Sequence, residues 1–363
     1  MATIIFNIPQ QTFKKHLITK QATTMNIAYI LYPEVIISGQ SNGIRSQAEN
    51  WAVSLKRLGH SITFINNWKH YDWKSFDIIH LFGCSGSWHN DVAFRLKHIN
   101  PNICFSPIID PKPIKLENKS IILKNYIRIL FPFTRFLTQD KYDNFKLIFV
   151  RSQCEAEYLT KIKGVDISKL AHIPLAYSYK EGCISEGEQS KRKPFCLHIS
   201  SITQERKNVL RLIKAAKKYN FELVLAGNKG TPEAYYHLEK EISGCDNIKV
   251  LGFISEEKKL ELYKTAKVFA LPSLYEGVGI VAVDAALYGC EIVISDIPGP
   301  KEYYAGMASL VNPYSVDEIG YAIKGYLDGK VTTQPILSEH IKETYSPSHI
   351  AKQLESAYYS LMQ

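Results

Sequence analysis

No run of apolar residues in this chain reaches the roughly 20 that a membrane-spanning helix needs. No two of its seven cysteines, Cys84, Cys104, Cys154, Cys183, Cys196, Cys245 and Cys290, stand at a C-x-x-C spacing, and the number is odd. That argues against a disulfide framework or a thiolate zinc site, and for reduced thiols in a cytoplasmic protein. There is no low-complexity tract and no short-period repeat, so a solenoid is not expected. The first 24 residues, MATIIFNIPQQTFKKHLITKQATT, lack acidic residues and arginine, and their apolar part precedes their lysines. A secretory signal has the reverse order. Residues 1–24 therefore read as an extension ahead of a fold that begins at Met25.

What is present is ample core material for two domains. The chain has 363 residues, 45% of them hydrophobic and 22% charged. Its net charge of +9 suits an anionic small molecule, a membrane surface or nucleic acid and identifies none of them. From Met25, strand-like apolar runs alternate with helical periodicity, the mark of an α/β fold with parallel sheets. Runs at 26–32, 61–65, 77–82, 103–109, 147–150 and 171–174 predict the strands of a first domain over 25–180. Ser152 is placed to cap the helix after 147–150, with Glu155 at capping-box spacing. The polar stretch KEGCISEGEQSKRKP reads as a linker over 181–193. A second domain over 194–345 repeats the alternation, and a last helix occupies 346–363.

The most informative stretch is 270–300, ALPSLYEGVGIVAVDAALYGCEIVISDIPGP. An apolar run ends in Pro272-Ser273, and a turn follows with Glu276 beside Gly277, Val278 and Gly279. From Ile280 the pattern is helical, with Ile280, Val283, Ala286 and Leu287 on one stripe and Gly289 closing it. Residues 291–295 read as a buried parallel strand. Such a turn offers free backbone N–H groups at a helix N-terminus, which favours an anion. On these residues alone, an ordinary βαβ unit whose glycines serve close packing reads equally well.

Upstream, HISSITQERKN puts Arg206-Lys207 after a strand and at a helix start. Two cations there can neutralise a diphosphate, although an isolated pair is also an ordinary solvated helix start. With LVLAGNKG, VLGFISEEKKLELYKTAKVFA, LPSLYEGVGI and VISDIPG following in order, the chain resembles the retaining glycosyltransferases of family 4, of the group 1 type. The resemblance is specific across 195–313. It implies an α/β GT-B fold, two Rossmann-like β/α/β domains facing across a cleft, with the last helix, 346–363, crossing back to the first domain. It further implies that Arg206 and Lys207 hold the diphosphate of a nucleotide-sugar donor and that Glu276 sits against the donor sugar, these three forming the catalytic set. Gly252, Phe253 and Ile254 match the loop against the nucleotide base. Gly277, Val278, Gly279 and Ile280 match the turn that meets sugar and phosphates. Asp284 falls where the family has a second glutamate, on the ribose hydroxyls.

The chain departs from that pattern at four places. Asp284 is one methylene shorter than glutamate, Ser200-Ser201 stands for a common Gly-Arg pair, and Val278 for a common phenylalanine. SPIIDP carries Asp110 without the family's histidine. Gly43 in SNGIRSQ, His80 in DIIHLFG and Asp110 are acceptor-side or donor-phosphate candidates, with His80 expected at a strand end facing the cleft. The plain readings are a turn glycine and a hydrogen-bonded structural histidine.

No D-x-D sequence occurs, so neither a metal nor a further cofactor is expected, the nucleotide diphosphate sugar being a co-substrate. The implied reaction is retaining transfer of a sugar to a hydroxyl of a glycan or lipid-linked acceptor, in polysaccharide or glycoconjugate biosynthesis. Residues 112–136 interleave Lys112, Lys115, Lys119, Lys124, Arg128 and Arg135 with Ile, Leu, Tyr and Phe. They read either as a peripheral contact with the inner face of the membrane or as a helix with its apolar side on the domain. No nucleic-acid partner is expected. Two further readings stay open: a nucleotide-sugar epimerase, which needs no acceptor, and a non-catalytic transferase-like subunit.

Overall fold

A computed structural model describes residues 24–33, 35, 43–83, 87–112, 142–178 and 192–363. The extension up to residue 23, nearly all of the basic stretch 112–136, the linker reading over 181–191, and Cys84 and Cys183 lie outside the described residues. The chain divides into two compact units. The first comprises 1–109, 117–173 and 351–363, and the second 110–116 and 174–350. No helix among the described residues is long and apolar enough to cross a membrane.

The first unit is built on a parallel six-stranded sheet of β1 (Asn26–Leu31), β2 (Ser61–Phe64), β3 (Ile78–Phe82), β4 (Ile103–Ser106), β5 (Leu147–Val150) and β6 (Leu170–His172). Their order is β2-β1-β3-β4-β5-β6. Ile27 pairs with Ile62 on one side and Ile78 on the other. All five residues of β3 are buried. A strand covered on both faces must be apolar throughout, which is why these runs do not alternate. Helix α1 (Gly43–Arg57) buries Ala48, Trp51, Ala52 and Leu55, the stripe its spacing predicts. The helix expected near 92–98 is α2 (Ser87–Leu96), which starts earlier because its first turn is polar in sequence.

Ser152 caps α3 (Gln153–Glu157) as its sequence predicts, accepting from the Glu155 N–H at 3.1 Å. Glu155 does not complete the box. Its carboxylate instead accepts from the backbone N–H of Arg151 and of Ile109, and pairs with the Arg151 guanidinium at 3.0 Å. His80 also departs from expectation. It is wholly buried, with Nδ1 2.6 Å from the Tyr358 hydroxyl and Nε2 2.8 Å from Ser106 Oγ. Burial holds its pKa well below the ordinary imidazole value. Both ring nitrogens are occupied inside the first unit, so His80 is a core residue. Tyr358 comes from the final helix, α11 (Pro347–Leu361), whose residues from Ala351 belong to the first unit.

The second unit holds another parallel sheet: β7 (Lys193–Ile199), β8 (Glu222–Ala226), β9 (Ile248–Gly252), β10 (Ala266–Leu271), β11 (Glu291–Ser295) and β12 (Ser309–Val311). The order is β12-β11-β10-β7-β8-β9. Side chains alternate between two cores. Leu197, Phe269 and Ile292 enter one, packed by α7 (Ile280–Leu287) and α10 (Ile336–Thr344). Leu223, Val268 and Val293 enter the other, packed by α4 (Val209–Tyr219) and α9 (Val316–Leu327). The sheet runs outward from a central pair, β7 and β10, and strand order reverses between them. In open α/β sheets that reversal is where loops part and ligands bind.

Candidate functional site

The site forms where the chain leaves β7 and β10, paired at Leu197 and Phe269. The loop after β7 is held on the neighbouring loop by Ser200 N–H to Ala226 O, 3.1 Å, and Ile202 N–H to Asn228 O, 2.9 Å. Gly227 makes this approach possible, since a Cβ there would lie 1.9 Å from Ser200 O. His198 steadies the same loop, with Nδ1 on Ala270 O and Nε2 on Ser200 Oγ. Burial pushes its pKa down to about 4. A tight turn at Glu205–Lys207 ends in Asn208, whose φ of 59° is left-handed, a conformation asparagine tolerates. Its side-chain amide donates to Pro272 O at 2.8 Å and Pro313 O at 2.6 Å, joining the loops that follow β7, β10 and β12.

These ties place four charged groups together. Leu274 N–H donates to Arg206 O at 2.7 Å, drawing the Arg206-Lys207 turn onto the loop after β10. Lys207 Nζ meets Glu276 Oε2 at 2.5 Å, and Ser273 Oγ donates to the same oxygen at 3.1 Å. Ser273 is fixed in turn by Ser295 Oγ on its carbonyl. Arg206 Nη1 lies 3.6 Å from Glu276 Oε1 and 3.0 Å from Asp110 Oδ2. The Gly277 N–H donates to Asp110 Oδ1 at 3.1 Å. Arg206 and Lys112 both lie over the Tyr275 ring, at 5.9 and 5.8 Å. Gly299 backs the turn so closely that a Cβ on it would stand 1.9 Å from Gly277 O. Glu276 and Lys207 are buried, and removing either would strand the other's charge. Two cations, the Gly277 amide and a buried carboxylate can together hold a diphosphate against a sugar.

Residues 184–344 match the family model for glycosyl transferases group 1. Over that segment the chain is similar to the group 1 glycosyl transferases. The chain is 28% identical over 183 residues to an uncharacterized glycosyltransferase of Methanocaldococcus jannaschii, across 48% of this chain and 46% of that one. It is 22% identical over 181 residues to O-antigen chain mannosyltransferase B of Escherichia coli, across 48% and 43% of the two chains. The chain thus spans about half the length of these curated relatives. The crystal structure of Anabaena HepE in complex with UDP and glucose superposes with a TM-score of 0.68 at 15% identity, covering 93% of this chain and 100% of that one. That likeness shows the fold, GT-B.

The structure brings together Arg206, Lys207, Glu276, Gly277 and Asp110. Gly279, with a φ of 81°, starts α7, and Val278 is buried in the core behind the turn. Ile280 is half-buried on the same core. Gly252 (φ 71°) takes the Gly227 N–H on its carbonyl, Phe253 is 73% exposed, and Ile254 packs on the core. Asp284 is not part of the charged group. Its carboxylate is buried on α7 and accepts from the Ser178 N–H at 2.8 Å. Burial pushes its pKa up to about 6. Gly43 begins α1, exposed, in the first unit, where His80 also lies. Ser273, Tyr275, Asn208 and Gly299 escaped the sequence reading. The serine and asparagine sit within the quoted motifs, but only their long-range partners reveal what they do.

Proposed function

We propose that this chain moves a sugar from a nucleotide diphosphate sugar to an acceptor hydroxyl with retention of anomeric configuration, in the building of a polysaccharide or glycoconjugate. The observation that carries the reading is the convergence of Arg206, Lys207 and Glu276 at the strand reversal between β7 and β10. Arg206, the Gly277 amide and the start of α7 meet the charge that grows on the diphosphate as the anomeric C–O bond breaks. Glu276, kept ionised-side inward by Lys207 and Ser273, orients the sugar hydroxyls and stabilises positive charge at the anomeric carbon. The acceptor hydroxyl attacks on the face the diphosphate leaves and passes its proton to the departing phosphate oxygen. Gly252, Phe253 and Ile254 provide the edge for the base. Asp284 would reach a ribose only by releasing Ser178. The names of the matched proteins, an O-antigen mannosyltransferase and a structure holding UDP and glucose, support a nucleotide-sugar donor and a glycan or lipid-linked acceptor.

The test is transfer by Glu276→Ala and Lys207→Ala, with folding followed by thermal melting. Loss of transfer with a cooperative melt is expected, and wild-type turnover in either variant would sink the reading. Release of nucleoside diphosphate that depends on added acceptor separates transfer from isomerisation of the donor. A panel of nucleotide sugars identifies the donor as the one that raises the melting point.

A further inference from the structure

We infer that Asp110 is an internal substitute for the donor's phosphate, and that donor binding works by displacing its carboxylate. The inference rests on the donor-site reading above and extends it to how the donor enters the site. The two oxygens of Asp110 engage two different positive groups, Oδ2 the Arg206 guanidinium at 3.0 Å and Oδ1 the Gly277 N–H at 3.1 Å. These are the groups best placed to bind a phosphate, and two oxygens on one carbon span them as two oxygens on one phosphorus would.

Charge decides that something must leave. Among the described residues, Arg206 and Lys207 each face a carboxylate, Asp110 and Glu276, with Lys112 nearby over the Tyr275 ring. A diphosphate entering there meets two carboxylates already on the cations it would bind, which disfavours it. One carboxylate has to go. Glu276 is 7% exposed and held by Lys207 at 2.5 Å and Ser273 at 3.1 Å. The Asp110 side chain is 26% exposed, and Arg206 beside it 25%. Asp110 is therefore the anion with a route to water. Its neighbours hold still meanwhile: Pro111 is buried and Lys112 lies over the Tyr275 ring. A side-chain rotation suffices, with the backbone of 110–112 kept in place.

The experiment titrates inorganic pyrophosphate, then UDP, GDP and ADP, into wild type and Asp110→Asn at one ionic strength by calorimetry. Asparagine keeps the size and loses the charge. Pyrophosphate should bind Asp110→Asn about two- to fivefold more tightly, the fold-change expected for release of one partly exposed ion pair. Equal or weaker binding, or no binding to either form, overturns the inference. Weaker binding would mean that Asp110 steadies Arg206 for the donor. Tighter pyrophosphate binding with no response to any nucleotide leaves the inference standing and removes the nucleotide-donor reading. Should Asp110→Asn not melt cooperatively, Asp110→Ser replaces it. Wild type gives an independent readout through the amide resonance of Gly277, which must move on saturation with pyrophosphate because its acceptor changes. An unmoved resonance overturns the inference.

Discussion

Two buried ion pairs, one in each unit, stand just beyond the end of a parallel strand, and they differ in one oxygen. In the first unit Arg151 follows β5 and pairs with Glu155, their side chains 8% and 0% exposed. Glu155 Oε1 takes the Ile109 N–H, Oε2 takes the Arg151 N–H and Nε, and Arg151 Nη2 donates to Ile109 O. The pair is closed on its own backbone. In the second unit Lys207 and Glu276 are almost as buried, at 11% and 7%. Glu276 Oε2 is doubly bonded, but Oε1 has no hydrogen bond among the described residues and faces Arg206 at 3.6 Å. A pair saturated internally holds structure, and a pair with an oxygen to spare is set to receive a ligand.

Isosteric removal of each carboxylate breaks or keeps this distinction. Glu276→Gln should lower transfer by about 100- to 1000-fold, the scale of losing a preorganised electrostatic group, and should also lower the melting point because it strands Lys207. Glu155→Gln should differ in leaving activity per folded molecule intact. Uncompensated Arg151 would then cost about 3–5 kcal/mol of stability, read as a lower denaturant midpoint at constant slope. If Glu155→Gln lost transfer per folded molecule as Glu276→Gln does, the contrast between the pairs would collapse.

Asp284 sharpens the comparison as a third buried carboxylate, one without a cation in hydrogen-bond contact. Its pKa is raised from 3.8 to about 6, chiefly by burial. A raised carboxylate pKa favours folding while the group is protonated, so that contribution is complete below about pH 4 and lost as pH rises through about 6. Asp284→Asn should therefore be more stable than wild type at pH 7.5, by up to about 3 kcal/mol, with the difference vanishing near pH 4. A melting difference that grew toward acid would reverse the sign and refute it. His198 acts in the other direction. Its lowered pKa makes stability complete above about pH 6.5 and progressively lost as pH falls toward 4. At the small end, Lys249→Ala should change stability by less than about 0.5 kcal/mol, because its partner Glu222 and Lys249 itself are largely exposed.

Much of this was legible in the residues. Continuous apolar runs gave the strands, and the order of short motifs from Arg206-Lys207 to Glu276 pointed to the charged group. What stayed hidden depends on chain folding. Glu155 had the spacing of a capping box, yet a residue 46 positions away, Ile109, claims it. His80 looked like a strand-end residue until Tyr358, from the last helix, closed over its ring. Asp110 stands 96 positions from Arg206, and no local pattern connects them. Helix α8 (Pro298–Tyr304) and α10 were missed because one opens on Pro-Gly-Pro and the other follows Pro335, both of which read as breaks.

Position 299 has a one-letter alphabet. Any side chain there would drive into the carbonyl of Gly277, so mutation can find no neutral step at the back of the turn. Substitution at this site has to proceed through groups at its front, such as Tyr275 and Asp110. The scaffold thus divides its own evolution into a part that can be searched and a part that cannot.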